Sequence, residues 1–173
     1  MRHRSLTLTM LRLSLGCGIF ADPDWFGVDV ATDPAVRADW RADIRALPFR
    51  DGVADRAYLG HVCEHLPLAD VPRALLEVRR VLRPGGALCV VGPDRDRAVA
   101  IGAEPSLLAA IDHGTPTGRP DDVHHWACTE AILLPLVRAV FPDARPVPVE
   151  EIDRSWPVVS RARWQVAIVA SRT

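Results

Sequence analysis

A chain of 173 residues with 21 basic and 22 acidic side chains, net charge −1 and 49% apolar residues fits one domain, 1–173, able to bury a core of its own. That balance of charge provides no field for nucleic acid or an anionic membrane, so neither is an expected partner. Lys and Asn are absent and all 21 fixed cations are Arg, which excludes a pyridoxal Schiff base, a Walker A phosphate loop and a Tyr-x-x-x-Lys dehydrogenase pair. Cys17, Cys63, Cys89 and Cys128 are widely spaced with no C-x-x-C pair, as expected of reduced thiols in a cytoplasmic protein. Arg2 and Arg4 precede an apolar stretch, but Arg12 interrupts it before any small-residue cleavage site, and no segment is long and apolar enough to span a bilayer.

In chain order, alternating apolar residues from Leu11 to Leu15 end at Gly16-Cys17-Gly18, the pattern of a strand feeding a glycine turn. Leu6, Leu8 and Met10 alternate with opposite parity, which calls for a bulge or a separate amino-terminal piece. Trp25 to Val30 reads as a second strand, Ala35 to Trp40 as a third and Asp55 to Gly60 as a fourth. The spacing of Leu75, Leu76, Val78, Val81 and Leu82 predicts a helix over 70–82, capped by Asp70 and stopped by Pro84-Gly85-Gly86. Ala87 to Val91 follows as a buried fifth strand, and this strand, helix, strand run marks a parallel crossover unit. Residues 93–120 read as loop-rich, with a short helix over 105–112 and a turn-prone run from His113 to Gly118. A helix over 129–140, kinked by Pro135, and strands over 146–152 and 164–171 complete the chain.

The fold class expected is therefore α/β: a Rossmann-like, doubly wound, mostly parallel sheet of about seven strands with helices on both faces, its last strand antiparallel. Only about nine residues separate the first two strands, short of the dozen or so that a crossover helix requires, so this connection is expected to be a loop that leaves the pocket open on one side.

Gly16 and Gly18 permit a tight turn and close ligand approach, although a plain turn fits them equally well. Asp29, ending the second strand, can accept two hydrogen bonds from ribose hydroxyls, or simply open a surface turn. His124 and His125 follow the flexible region and are the candidate general bases, with two loop histidines lacking any proton role as the other reading. Asp94 and Asp96 either position a substrate amine or hydroxyl or pair with nearby arginines. His65 either touches a cofactor or packs at a helix start. No cluster with metal-ligand spacing stands out, so no metal is expected.

Leu13-Ser14-Leu15-Gly16-Cys17-Gly18, Val28-Asp29, Asp43-Ile44-Arg45-Ala46-Leu47-Pro48-Phe49, Gly60-His61-Val62-Cys63-Glu64-His65-Leu66 and Arg80-Val81-Leu82-Arg83-Pro84-Gly85-Gly86 occur in that order. In this order and spacing the chain resembles class I S-adenosylmethionine-dependent methyltransferases, and within them the type 11 methyltransferase domain. His124-His125-Trp126 followed by a helix is similar to the carboxyl-terminal part of that family.

The resemblance implies that Gly16, Cys17 and Gly18 hold the methionine end of S-adenosylmethionine, Asp29 its ribose and Val30 its adenine. Asp43 would meet the adenine amino group with Ile44 beside the ring, and His61 and Val62 would line the cofactor and the reacting face. Ser14 stands where many members carry an acidic residue, and no third glycine follows Gly18. The expected activity is methyl transfer to a small-molecule acceptor. The alternative is a catalytically silent cofactor-binding module that scaffolds a partner, and either a homodimer or a partner protein could cover the open pocket. A nicotinamide-dependent oxidoreductase would share Gly16, Gly18 and Asp29 but lacks G-x-G-x-x-G and a Lys partner for Tyr58. Without an Asn-Pro-Pro-Tyr run, a Pro-Cys nucleophile or a basic patch, methylation of DNA bases is not expected.

Overall fold

Along β1 (Arg12–Leu15), Leu13 and Leu15 point to one face and Arg12 and Ser14 to the other, and the strand lies between β2 (Phe26–Asp29) and β4 (Ala54–Gly60), both parallel to it. The structure, a computed structural model, describes residues 10–20, 22–114, 122–158 and 160–173. Leu6, Leu8 and most of the turn-prone run after His113 lie outside the described residues.

The sheet has seven strands in the order β3-β2-β1-β4-β5-β7-β6, with β3 Trp40–Arg41, β5 Leu82–Pro93, β6 Arg145–Val147 and β7 Gln165–Ser171. β7 runs antiparallel to both its neighbours, while the pairs from β3 to β5 are parallel. Strand order reverses between β1 and β4, so a crevice opens beyond their carboxyl ends.

One face is covered by helices α1 (Val71–Val81) and α4 (Glu130–Val140). Val71, Leu75 and Val78 of α1 and Leu133 and Val137 of α4 have no exposed surface and meet Leu13, Leu15, Leu59 and Leu88 of the sheet. At about 1.5–3 kcal/mol per fully buried large apolar side chain, this face dominates the stability. Pro135 lies within α4, which continues past it as one helix.

The helical layers are unequal. Tyr58, Cys89, Val91 and Ala167 on the other face are covered by Trp25, by Val149 of the 3-10 turn Val149–Glu151, and by Ile152 and Trp156. The Trp25 ring lies 5.4 Å from Trp156 and 6.4 Å, edge-on, from Tyr58, and the Arg56 guanidinium sits 5.1 Å over Trp156. The β1–β2 connection carries no helix among its described residues, as its length dictates, and Trp25 packs on the sheet in its stead.

Several boundaries differ from expectation. The third strand is only Trp40–Arg41, because Asp33 turns the chain through Val36 and leaves two residues to pair with Val28 and Asp29. β5 begins at Leu82, directly after α1, with an irregular register opposite Ala54. Residues 95–100 form helix α2 (Arg95–Ala100), followed by α3 (Pro105–His113). Asp70 makes no side-chain cap for α1, because its carboxylate binds Arg45 Nη1 at 2.5 Å instead.

Candidate active site

The glycine turn is built onto the end of β2. Gly16 N and Cys17 N donate to Val28 O at 2.7 and 3.2 Å, and Gly18 N donates to Asp29 Oδ2 at 2.8 Å. Gly16 has φ +67, and a Cβ there would lie 2.5 Å from Val62 Cγ2, so only glycine fits. Gly18, at φ +55, faces open space.

Beyond the turn lies a cavity of about 1660 Å³, as bounded by the described residues, between the carboxyl ends of β1, β2 and β4 and the segments around His124 and Trp156. The fold brings Gly16, Cys17, Gly18, Asp29, Val30, Asp43, Ile44, His61 and Val62 to this cavity, together with His124 and His125. Its rim carries unusually exposed apolar side chains, with Val30 at 61%, Phe20 at 57% and Ile19 at 52% exposure. Such a patch suits a planar apolar ligand surface such as a purine.

Asp29 is nearly buried, and its second oxygen, Oδ1, accepts from Ala31 N at 2.9 Å. Each carboxylate oxygen therefore holds one backbone amide and keeps lone-pair capacity for a ligand hydroxyl. Asp43 is differently engaged. Its oxygens accept from Arg45 N, Nε and Nη2 at 2.7–3.1 Å, and these bonds hold its carboxyl below the usual range. Burial, reinforced by Asp29, raises the Cys17 thiol to about 11, so it stays protonated at neutral pH.

His61 has a φ of +56, uncommon for a residue with a side chain, at the end of β4 where its amide donates to Val91 O at 2.7 Å. Gln165 Nε2 lies 2.6 Å from His61 Nε2; with the amide nitrogen donating, the His61 proton sits on Nδ1, which faces Glu64 Oε1 at 3.2 Å. Glu64 has no exposed surface and lies behind this wall, in the 3-10 turn Cys63–His65. His65 and His124 both line the cavity and meet edge to face with ring centroids 4.7 Å apart. Burial lowers the His65 pKa, keeping the ring neutral.

Of the two candidate bases, His124 is half-buried with Nδ1 2.7 Å from Ile111 O, and His125 is exposed with its amide bonded to Glu64 O at 2.8 Å. Asp94 is not among the cavity-lining residues. It is buried, and its carboxylate caps two helices by accepting from Arg97 N and Glu130 N, each at 3.1 Å. Sequence reasoning missed Gln165, Trp164, Arg45 and Glu64 as parts of this site. The signal for Arg45 was local, a guanidinium two residues beyond a carboxylate, whereas Gln165 and Trp164 arrive from β7 and its approach.

Residues 22–90 match the type 11 family described as a methyltransferase domain. The chain is 36% identical over 104 residues to the 23S rRNA (guanine(748)-N(1))-methyltransferase of Streptomyces fradiae, covering 54% of this chain and 34% of that protein. It is 48% identical over 63 residues to an uncharacterized 37.1 kDa protein in transposon TN4556 of the same organism, covering 36% of this chain and 17% of that protein. The chain thus matches about a third or less of the length of these curated relatives. In fold it is similar to an S-adenosylmethionine-dependent methyltransferase of Archaeoglobus fulgidus, with a TM-score of 0.66 at 14% identity over 95% of this chain and 86% of the other. Over residues 22–90 the chain is thus similar to the type 11 methyltransferase domain, and over nearly its whole length its fold is similar to that of solved S-adenosylmethionine-dependent methyltransferases.

Proposed function

We propose that the chain binds S-adenosylmethionine in the 1660 Å³ cavity and transfers its methyl group to a small-molecule acceptor. The observation that carries this reading is the convergence of the glycine turn, the Asp29 carboxylate and the apolar rim on one cavity. A cavity of this size exceeds the roughly 300–1,000 Å³ of a single small-ligand site, leaving room for a second molecule.

The bound cofactor supplies an electrophilic methyl on a sulfonium. The turn at Gly16–Gly18 admits the methionine end without a Cβ in the way, and Asp29 accepts from the ribose. Val30, Phe20 and Ile44 would offer the adenine apolar contact. Asp43, already held by Arg45, offers only its remaining lone-pair capacity to the adenine amino group. The chain contributes proximity and orientation, and His124 or His125 takes a proton where the acceptor carries one.

The rRNA methyltransferase relative favours a second reading in which the acceptor is RNA. Against it stands the charge balance of the chain, with no excess of cations for a phosphate backbone. Calorimetry against S-adenosylhomocysteine and NAD tests the cofactor: micromolar binding of the first without the second is expected, and the reverse overturns the assignment. Labelled S-adenosylmethionine offered with a metabolite extract or with ribosomal RNA then separates the acceptors, and binding without label transfer to either favours a silent module.

A further inference from the structure

We propose that Glu64, His65 and His124 form a site for one first-row divalent transition-metal ion in the wall of the cavity, with its open coordination positions turned toward an oxygen of the second substrate. Each residue offers one ligand atom, and these atoms lie within 4.8 Å of one another. Two imidazole nitrogens and one carboxylate make the donor set that suits zinc, iron or manganese.

The hydrogen bonding around the three groups leaves the required lone pairs free. His124 Nδ1 lies 2.7 Å from Ile111 O, a carbonyl that can only accept, so Nδ1 carries the ring proton and Nε2 is left with the lone pair. His65 Nδ1 is buried with no hydrogen-bond partner among the described residues, which leaves it available as a donor atom. His124, whose Nδ1 donates to a main-chain carbonyl, thus has the usual arrangement of a metal-bound histidine, fixed in tautomer and orientation.

Glu64 supplies the second, independent observation. Its side chain is fully buried; Oε1 faces the His61 Nδ1 hydrogen at 3.2 Å, and Oε2 has no hydrogen-bond partner among the described residues. A buried carboxylate left in that state is costly, and a cation between it and the two imidazoles removes the cost. An ion about 2.1 Å from each donor places the donors roughly 3–3.5 Å apart, so binding draws the three groups together by about 1 Å.

His65 and His124 line the cavity and Glu64 does not, so the coordination positions without a protein ligand face the cavity. They suit a hydroxyl or enol oxygen, and with the His124 lone pair on the ion the proton-accepting role falls to His125. This acceptor half of the inference rests on the methyl-transfer reading, while the ion site stands apart from it.

The full-length chain, stripped with a chelator, is titrated with Co²⁺ while its visible absorption is followed, and Zn²⁺ is then added as competitor. One equivalent of Co²⁺ with visible bands, displaced by Zn²⁺, is expected. Glu64→Gln and His124→Gln should each weaken Co²⁺ binding at least tenfold while leaving S-adenosylhomocysteine binding and the thermal midpoint in zinc-free buffer within reach of the parent. Catechol, used as an oxygen-donor probe, should shift the bands. No Co²⁺ bands in a chain that binds S-adenosylhomocysteine, or bands unchanged in both variants, overturn the ion site; bands that catechol leaves unmoved overturn the acceptor half. Co²⁺ binding lost in both variants, in a chain that takes no S-adenosylhomocysteine, supports the ion site and removes the methyl-transfer reading instead.

Discussion

The carboxylate of Asp29 accepts the amide hydrogen of Gly18 at 2.8 Å, tying the end of β2 to the turn that follows β1. With no helix among the described residues of the β1–β2 connection to brace it, this bond and that from Ala31 N to the same carboxylate set the turn's shape. Asp29 thus has a structural task as well as the ribose contact proposed for it.

Asp29→Asn should therefore lose both stability and cofactor affinity. An amide side chain can accept one of the two backbone hydrogens but turns its own NH₂ toward the other. Because the group is nearly buried and the lost bond is charge-assisted, a cost of about 1–3 kcal/mol is expected. Urea midpoints and calorimetry with S-adenosylhomocysteine would check this, and a variant as stable as the parent would show that the carboxylate does not organise the turn.

Gly16→Ala should be destabilising through two separable causes. A left-handed φ costs an L-residue about 1–2 kcal/mol, and the new Cβ would meet Val62 Cγ2 at 2.5 Å. Adding Val62→Ala removes the clash but not the strain, so the double mutant should be destabilised by about 1 kcal/mol or more less than the sum of the two single changes. Strict additivity would place the whole cost in the backbone.

How much of this was legible in the sequence follows from how local each signal is. The glycine turn, Asp29 and the β4–α1–β5 unit were readable, because each is carried by adjacent residues with a clear period or turn chemistry. α2 was not, since Arg95–Ala100 is too short for helical periodicity and is started by Asp94 bonding Arg97 N. The third strand was misplaced because its apolar residues, Ala35 and Val36, belong to a turn and a loop. Glu64 and His65 looked like a helix start; only the return of the chain at His124 shows what they face. Asp43 was read as free for a ligand, while its partner Arg45, two residues on, also bridges to Asp70.

Trp156 is the covering of the thin face and also part of the cavity wall. Trp156→Ala should remove the ring contact with Trp25 and the Arg56 guanidinium contact, costing about 2 kcal/mol together. Trp156→Phe should recover the ring contact in part, and Arg56→Met should lose about 0.5–1 kcal/mol alone. Thermal melts of the three variants order these effects. If Trp156→Ala melts with the parent, the segment around it is not what closes that face.

The acid limb of stability should depend on Glu77. Its carboxylate accepts from Leu47 N at 2.9 Å and from Arg80 Nε and Nη2 at 2.9 and 2.8 Å, and Arg80 also donates to Leu47 O and Phe49 O. The pair fastens the segment after Asp43 and Ile44 to α1, and the Arg80 bonds hold the Glu77 carboxyl below its ordinary value of 4.5. Because the folded value is the lower one, the unfolded chain binds this proton more readily. The contribution is therefore whole above pH 4.5 and disappears as the pH falls through the folded value. Glu77→Gln should lose about 1–2 kcal/mol at pH 7, and its difference from the parent should close at lower pH. Urea midpoints between pH 7 and pH 2.5 measure that convergence; a constant difference across the range would mean that the side chain acts through packing, not through its charge.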